Sequence, residues 1–290
     1  MRKHVTKVGA CCLIALLCAG CSSNHTAQQP NDTSTNNQQM MYSNLVDSST
    51  QKEITDILEN HGITKEQTNT LVAWANDFNS RVTSDVLPEG FHEMGDAGAN
   101  YQGLIIKDKE GKDGVLYPEA NCRLTSYLLM KNLIQTNGKY ADNDTFLMFD
   151  VDAIDTYEPF HLSQEERNKF TSIFSWVPVT GADTLEDHVK RIQTVWKERD
   201  IKIQGDGVSL ITVYLHSPLE EVRFVGHTGV LLETDDGLLF VEKYGLQFPF
   251  QATKFHNREE LKKYLLGRPD LYGDETELAP IVMENNQLLS

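Results

Sequence analysis

In the stretch YPEANCRLTSYLLM, residues 117–130, Cys122 is the only cysteine beyond residue 21. Asn121 before it is a good N-cap residue, and Leu124, Tyr127, Leu128 and Ile134 follow in helical rhythm. The thiol therefore falls on the first turn of a helix. Free amides and the positive end of the dipole there favour a thiolate, lowering the pKa from its ordinary value of about 8.5. A structural cysteine gains nothing from that position, whereas a nucleophile does. The amide of Cys122 is also placed to face an oxyanion on the atom that the sulfur attacks. The plain alternative is a core cysteine, because free cysteine is among the most buried residue types.

A nucleophilic thiol needs a base, and histidine is the common one. His25 lies in a polar segment, while His61 and His188 lie near or within exposed helical segments. His227 stands apart in FVGHTGVLL, a strand with Gly226 before it and Gly229 two residues after. Glycines there let another backbone or a ligand come close. If the following hairpin closes with a loop at 234–237, residue 233 pairs with 238 and 229 with 242. His227 and Glu242 are then diagonal neighbours on one face, about 7–8 Å apart at the backbone. A tight Asp236-Gly237 turn would instead slide Glu242 opposite residue 231. A carboxylate inside LLFVEKYG is costly unless paired, which favours Glu242 as the group that orients His227. Gln247 is the alternative orienter, and Asn121 and Gln247 are candidate oxyanion or substrate-binding residues.

No metal or cofactor is expected. The run DNDTFLMFDVDAID gathers Asp142, Asp144, Asp150, Asp152 and Asp155, but it has no glycine, and four apolar residues interrupt it. It reads as a solvated acidic loop rather than a calcium site. The histidines show neither HxxxH nor HxH spacing, so no zinc site is predicted.

The elements that must position these residues can be sketched. Amphipathic helices are expected over 47–61 and 64–82, the second opened by a Thr64–Gln67 capping box. Loops with one short strand, YQGLIIKD, cover 90–119. Further helices are SQEERNKFTSIF and TLEDHVKRIQTVWKERD, opened by Ser163–Glu166 and Thr184–Asp187. After Gly207 come short runs rich in Val, Leu, Phe and Tyr: VSLITVYLH, RFVGHTGVLLE, GLLFVEKYG and QATKFHN. A last helix, REELKKYLLG, follows Asn257, with Glu260 closing a capping box. The predicted class is α+β: helix-rich over 51–205 and, over 206–290, an antiparallel sheet.

The N-terminus supplies a context. Arg2, Lys3 and Lys7 precede an apolar stretch from Gly9 to Gly20, too short to span a bilayer. Its end, Leu17-Cys18-Ala19-Gly20-Cys21, resembles a bacterial lipobox. That resemblance implies a signal peptide over 1–20, acylation of Cys21, and an extracytoplasmic protein anchored to a membrane through its lipid. Residues 21–50 are dominated by Ser, Thr, Asn and Gln and read as a flexible tether to a single domain over 51–290. Loss of the three basic residues of the signal takes the formal charge from −16 to −19. Such acidity argues against nucleic acid and against adhesion to anionic lipid through a basic patch. Cys122 is then the sole thiol of the mature domain, where paired cysteines are the usual form and an unpaired one invites a functional reason.

A cysteine opening a helix, a histidine on a strand and a polar residue on the next strand resemble the papain-like superfamily. The nearest branch is the NlpC-type envelope amidases, in which a histidine begins H-x-G followed by three apolar residues. His227-Thr228-Gly229-Val230-Leu231-Leu232 fits that start, whereas NCRLTS lacks the flanking aspartate and serine usual in that branch. YSNLVD, NCRLTSYLLMKNLI, FSWV, SLITVYLH, FVGHTGVLLETDDGLLFVEKYGLQFPFQATKF and IVMENNQLL are similar to a family of bacterial lipoproteins described as domain of unknown function 4300. The superfamily resemblance implies a cysteine hydrolase with Cys122, His227 and Glu242 as its triad. Peptidoglycan peptides or a protein would be the substrate. Acyl transfer to an amine is its variant, and a non-catalytic envelope lipoprotein that binds a wall component or protein partner is the rival.

Overall fold

A computed structural model describes residues 40–95, 98–110, 114, 116–138, 144–271, 273 and 276–290. The chain opens with β1 (Met41–Ser43), α1 (Ser48–Asn60), α2 (Lys65–Arg81) and β2 (His92–Glu93). Next come α3 (Cys122–Met130), β3 (Ile134–Gln135), α4 (Met148–Thr156), α5 (Gln164–Phe174), β4 (Val177–Pro178), α6 (Leu185–Glu198) and β5 (Lys202–Ile203). The second half holds β6 (Val208–Ser217), β7 (Val222–Thr234), β8 (Gly237–Lys243), β9 (Phe250–Phe255), α7 (Arg258–Leu266), β10 (Ile281–Glu284) and β11 (Gln287–Leu288). Helices first and strands afterwards give an α+β fold, as the pattern of the sequence predicts.

One antiparallel sheet organises the molecule, in the order β11-β10-β6-β7-β8-β9-β1-β2, with β4 pairing against β7. Both faces of its centre are covered. Val230, Leu232, Leu239 and Val241 join a cluster with α1, α2, α3, α5 and α6. Leu231, Leu238 and Phe240 join a second one with Leu261, Tyr264 and Leu265 of α7. Each such side chain, fully buried, contributes about 1.5–3 kcal/mol. Two covered faces explain why β7 and β8 read as nearly unbroken apolar runs.

The helix starts follow their caps. Asp47 accepts from the amides of Ser49 and Thr50, Thr64 with Gln67 and Ser163 with Glu166 form capping boxes, and Thr184 accepts from Asp187. Gln67 does more, because its side chain also donates to the Leu128 carbonyl at 2.7 Å and ties α2 to α3. Only half of the expected box forms at α7. Asn257 accepts from Glu260, while the Glu260 carboxylate turns to the amide of His256.

Several expectations are corrected. The polar segment expected as a tether over 21–50 is already folded from β1 onward. Tyr42 is in the core, β1 pairs with β9, and Asn44 donates to the Phe250 carbonyl at 3.0 Å. Its polar side chains serve caps and buried hydrogen bonds, so composition alone misplaces the boundary. The expected segments 1–20 and 21–39, with Cys21, lie outside the described residues. YQGLIIKD forms no strand beyond a single bridge from Ile106 to Val82. The rhythm after Cys122 ends at Met130, and Ile134 belongs to β3. No helix of the described residues is long and apolar enough to cross a membrane.

The two strand glycines serve packing. Val213 lies opposite His227 and Tyr214 opposite Val225, so Gly226 is the extra residue of a β-bulge. A Cβ on Gly226 would meet Leu215 Cδ1 at 2.3 Å, and one on Gly229 would meet Phe240 Cζ at 2.3 Å and the Val241 carbonyl at 2.9 Å. The neighbours they admit are the protein's own side chains rather than a ligand. Gly229→Ala is therefore expected to cost about 1–3 kcal/mol through overpacking. Urea denaturation checks this, and an unchanged midpoint would refute it.

Candidate active site

The first turn of α3 is held from two sides. Asn121 caps it, its side-chain oxygen accepting from the Leu124 amide at 2.9 Å. The nitrogen of the same side chain donates to Asp150 Oδ1 at 2.7 Å. Arg123 clamps the same carboxylate through Nε and Nη2, at 3.1 and 2.7 Å. The residues on either side of Cys122 thus share one anchor. Arg123 Nη1 also donates to the Val225 carbonyl at 2.7 Å and fastens α3 to β7, next to the bulge at Gly226 and two residues before His227. The bulge keeps His227 on the face of the sheet that carries Glu242.

The β7–β8 hairpin has the register that makes His227 and Glu242 diagonal partners, with Gly229 opposite Glu242 and Glu233 opposite Leu238. Thr234 and Gly237 pair as well, so the turn proper is Asp235-Asp236 and shorter than the expected four-residue loop. His227 Nε2 meets Glu242 Oε2 at 2.5 Å. The imidazole and the Cys122 sulfur lie near enough to shift one another's titration. With Nε2 turned to Glu242, Nδ1 is the ring nitrogen left for another partner. A helix and a hairpin far apart in sequence thus bring the cysteine, histidine and carboxylate together.

Glu242 is wholly buried and accepts four donors. Beside His227, Arg268 Nη1 reaches Oε2 at 2.9 Å, while Tyr264 and Gln251 reach Oε1 at 2.6 and 3.4 Å. Gln251 accepts in turn from Tyr101 at 2.5 Å, and Tyr101 from Asn44 at 2.6 Å. This network satisfies a charge that would be prohibitive in an apolar core.

The electrostatics favour an ion pair. Burial pushes the Cys122 thiol up, but the hydrogen bond and charge of His227, with the charge of Arg123, bring it below its ordinary value. Burial and the charge of Arg268 push His227 down, yet its bonds to Cys122 and Glu242 carry it above the usual histidine value. Glu242 is driven up by burial and brought below the carboxylate range by His227, Arg268 and Tyr264. Both shifts run toward a thiolate–imidazolium pair. Cys122 is 8% exposed, His227 2% and Glu242 0%, so all three are buried.

Not every expected residue joins the cluster. Gln247 is exposed in the turn after β8, and Gln251 is the glutamine that reaches Glu242. Asn121 spends its side chain on the cap and on Asp150, which removes it from the expected oxyanion role. His188 is buried, its Nδ1 accepting from Arg223 at 2.8 Å, and is not part of an exposed helical face. The acidic run is not a solvated loop where it matters. Asp144 is buried and accepts from the amides of Phe146 and Trp176, and Asp150 holds α3; Asp142 lies outside the described residues. No cluster of metal-ligating residues occurs among the described residues.

Sequence reasoning missed Asp150, Arg268, Tyr264, Gln251 and Lys243. A signal for Asp150 existed, since Asp150, Ala153 and Ile154 share the i, i+3, i+4 spacing of a buried helical face. Lys243, one residue past Glu242 in β8, is also fully buried. Its ammonium lies 3.7 Å from the Phe78 ring centroid, donates to the Phe248 and Leu246 carbonyls, and is pushed down to about 7 by burial.

Fold and site define an α+β protein with a buried cysteine–histidine–carboxylate cluster at the junction of a helix and a hairpin. The chain belongs to the family described as domain of unknown function 4300, which it matches over residues 41–289. No curated protein and no solved structure matches it.

The ion pair has a direct readout. Alkylation of Cys122 by iodoacetamide is expected to rise with a midpoint below the ordinary thiol value of about 8.5, and His227→Ala to move that midpoint upward. A wild-type midpoint at or above the ordinary value would show that no such pair exists.

Proposed function

We propose that this protein is an envelope-anchored cysteine hydrolase with papain-like architecture, acting on amide bonds, with peptidoglycan peptides as the substrate class. The observation that carries the reading is the contact of Cys122 with His227 and of His227 with Glu242, made by α3, β7 and β8. A core cysteine has no use for a buried imidazole–carboxylate pair, and the carboxylate in turn has no apolar reason to be there. The lipobox-like N-terminus supports an extracytoplasmic anchor at Cys21, which would place cell-wall amides within reach.

In this reading the Cys122 thiolate attacks the carbonyl carbon, and the C=O π electrons move to oxygen. The Cys122 amide, at the first position of α3 where a helix leaves its N–H groups unpaired, faces that oxyanion. Imidazolium His227 passes its proton to the leaving nitrogen, the C–N bond breaks, and a thioester remains. Water, deprotonated by the now neutral His227, attacks the thioester and releases the acid and the thiolate. Glu242 keeps the ring oriented and stabilises the imidazolium without taking its proton.

The test is incubation of wild type and Cys122→Ser with purified peptidoglycan fragments, read by mass. The wild type is expected to release peptide or amine products, and Cys122→Ser to lose about a thousandfold in rate or more. Identical product profiles from the two proteins would remove the catalytic assignment. The burial of Cys122 is the one observation on the side of a non-catalytic binding protein. Thiol labelling only after denaturation would decide for that alternative.

A further inference from the structure

Arg268, two residues beyond the end of α7, is buried and every arm of its guanidinium is used. Nη1 donates to Glu242 Oε2 at 2.9 Å, and Nη2 to the Tyr244 carbonyl at 2.7 Å. Nε and Nη2 bind Asp270 at 3.1 and 2.7 Å, and the group lies 3.9 Å from the Tyr244 ring centroid. The decisive feature is what it meets at Glu242. Arg268 Nη1 stands 3.2 Å from His227 Nε2, and both nitrogens converge on the same carboxylate oxygen. Neither can accept from the other once Nε2–H points at Glu242. A protonated His227 therefore sits beside a second cation and shares its counter-ion.

We propose that Arg268 is a positioning residue of the site: it fixes the Glu242 carboxylate behind the imidazole and limits how firmly His227 holds its proton. The inference rests on the hydrolase reading above. Without Arg268, Glu242 would stabilise the imidazolium alone, and the ring would yield its proton to a leaving nitrogen less readily. With it, one carboxylate oxygen serves two cations. The ionisable groups facing His227 are Cys122 from α3, Glu242 from β8, Arg268 itself, and Asp270 in the short turn after α7. Tyr264, Tyr101 and Tyr244 surround Glu242. Of these, Arg268 is the fixed cation in contact with the ring nitrogen. An arginine that only pinned the end of α7 would affect stability and leave the imidazole alone.

The experiment follows His227 in the full chain by nitrogen-15 histidine NMR against pH, its resonance assigned by its loss in His227→Ala. In Arg268→Met, removal of the neighbouring cation is expected to move the His227 midpoint upward by about one pH unit or more. Arg268→Lys, which keeps the charge, should hold the wild-type midpoint to within about 0.3 unit, on the same scale. A His227 midpoint unmoved in Arg268→Met overturns the proposal. If that variant does not fold, a midpoint displaced by about a unit in Arg268→Lys does so. Failure of the hydrolase reading is separate: Cys122 alkylation indifferent to His227→Ala would sink it whatever Arg268 does.

Discussion

A carboxylate with no exposed surface lies at the centre of this structure. Glu242 would be untenable among Leu238, Phe240 and Tyr264 if it met fewer donors, and four side chains from β7, β9, α7 and the turn beyond it converge to keep it charged. Each of those groups is consequently fixed in place. Gln251 cannot turn away without also leaving Thr253 and Tyr101, and Arg268 cannot without releasing Tyr244 and Asp270. The imidazole inherits its orientation from this arrangement. One negative charge thereby determines tautomer, ring plane and the direction in which Nδ1 looks.

The sulfur is brought to that imidazole by a second, independent anchorage. Asp150 takes Asn121 and Arg123, the neighbours of Cys122, and Arg123 spans to Val225 on the strand that carries His227. The bulge at Gly226 lies between that attachment and the histidine. Two polar fixtures, one beneath each partner, bring the thiol and the imidazole together. Close packing of Leu215 and Phe240 against the glycines of β7 leaves the strand little freedom to shift.

Much of this was legible in the linear chain, for reasons that differ by element. The start of α3 was readable because Asn121 is a local capping signal, and local signals do not depend on the rest of the fold. The pairing of His227 with Glu242 was readable because hairpin register follows from alternation and loop length. The polar residues of β1 and the acids around Asp150 were misread. Composition counts a side chain as solvated whether it faces water or a buried donor. Arg268 was invisible for another reason. It follows a helix in GRPD, a context that carries no periodicity, and only the docking of α7 on the sheet delivers it to Glu242.

The anchor at Asp150 belongs to α4, inside the long excursion between α3 and β6 that resembles a mere decoration of the fold. That excursion also stacks Phe146 on Phe224 of β7, with ring centroids 4.5 Å apart. Trimming the chain to a shorter scaffold by excising α4 would therefore unfasten the very turn that presents the thiol. What looks like an accessory is the support beneath that turn, and a minimal version of this protein has to keep it.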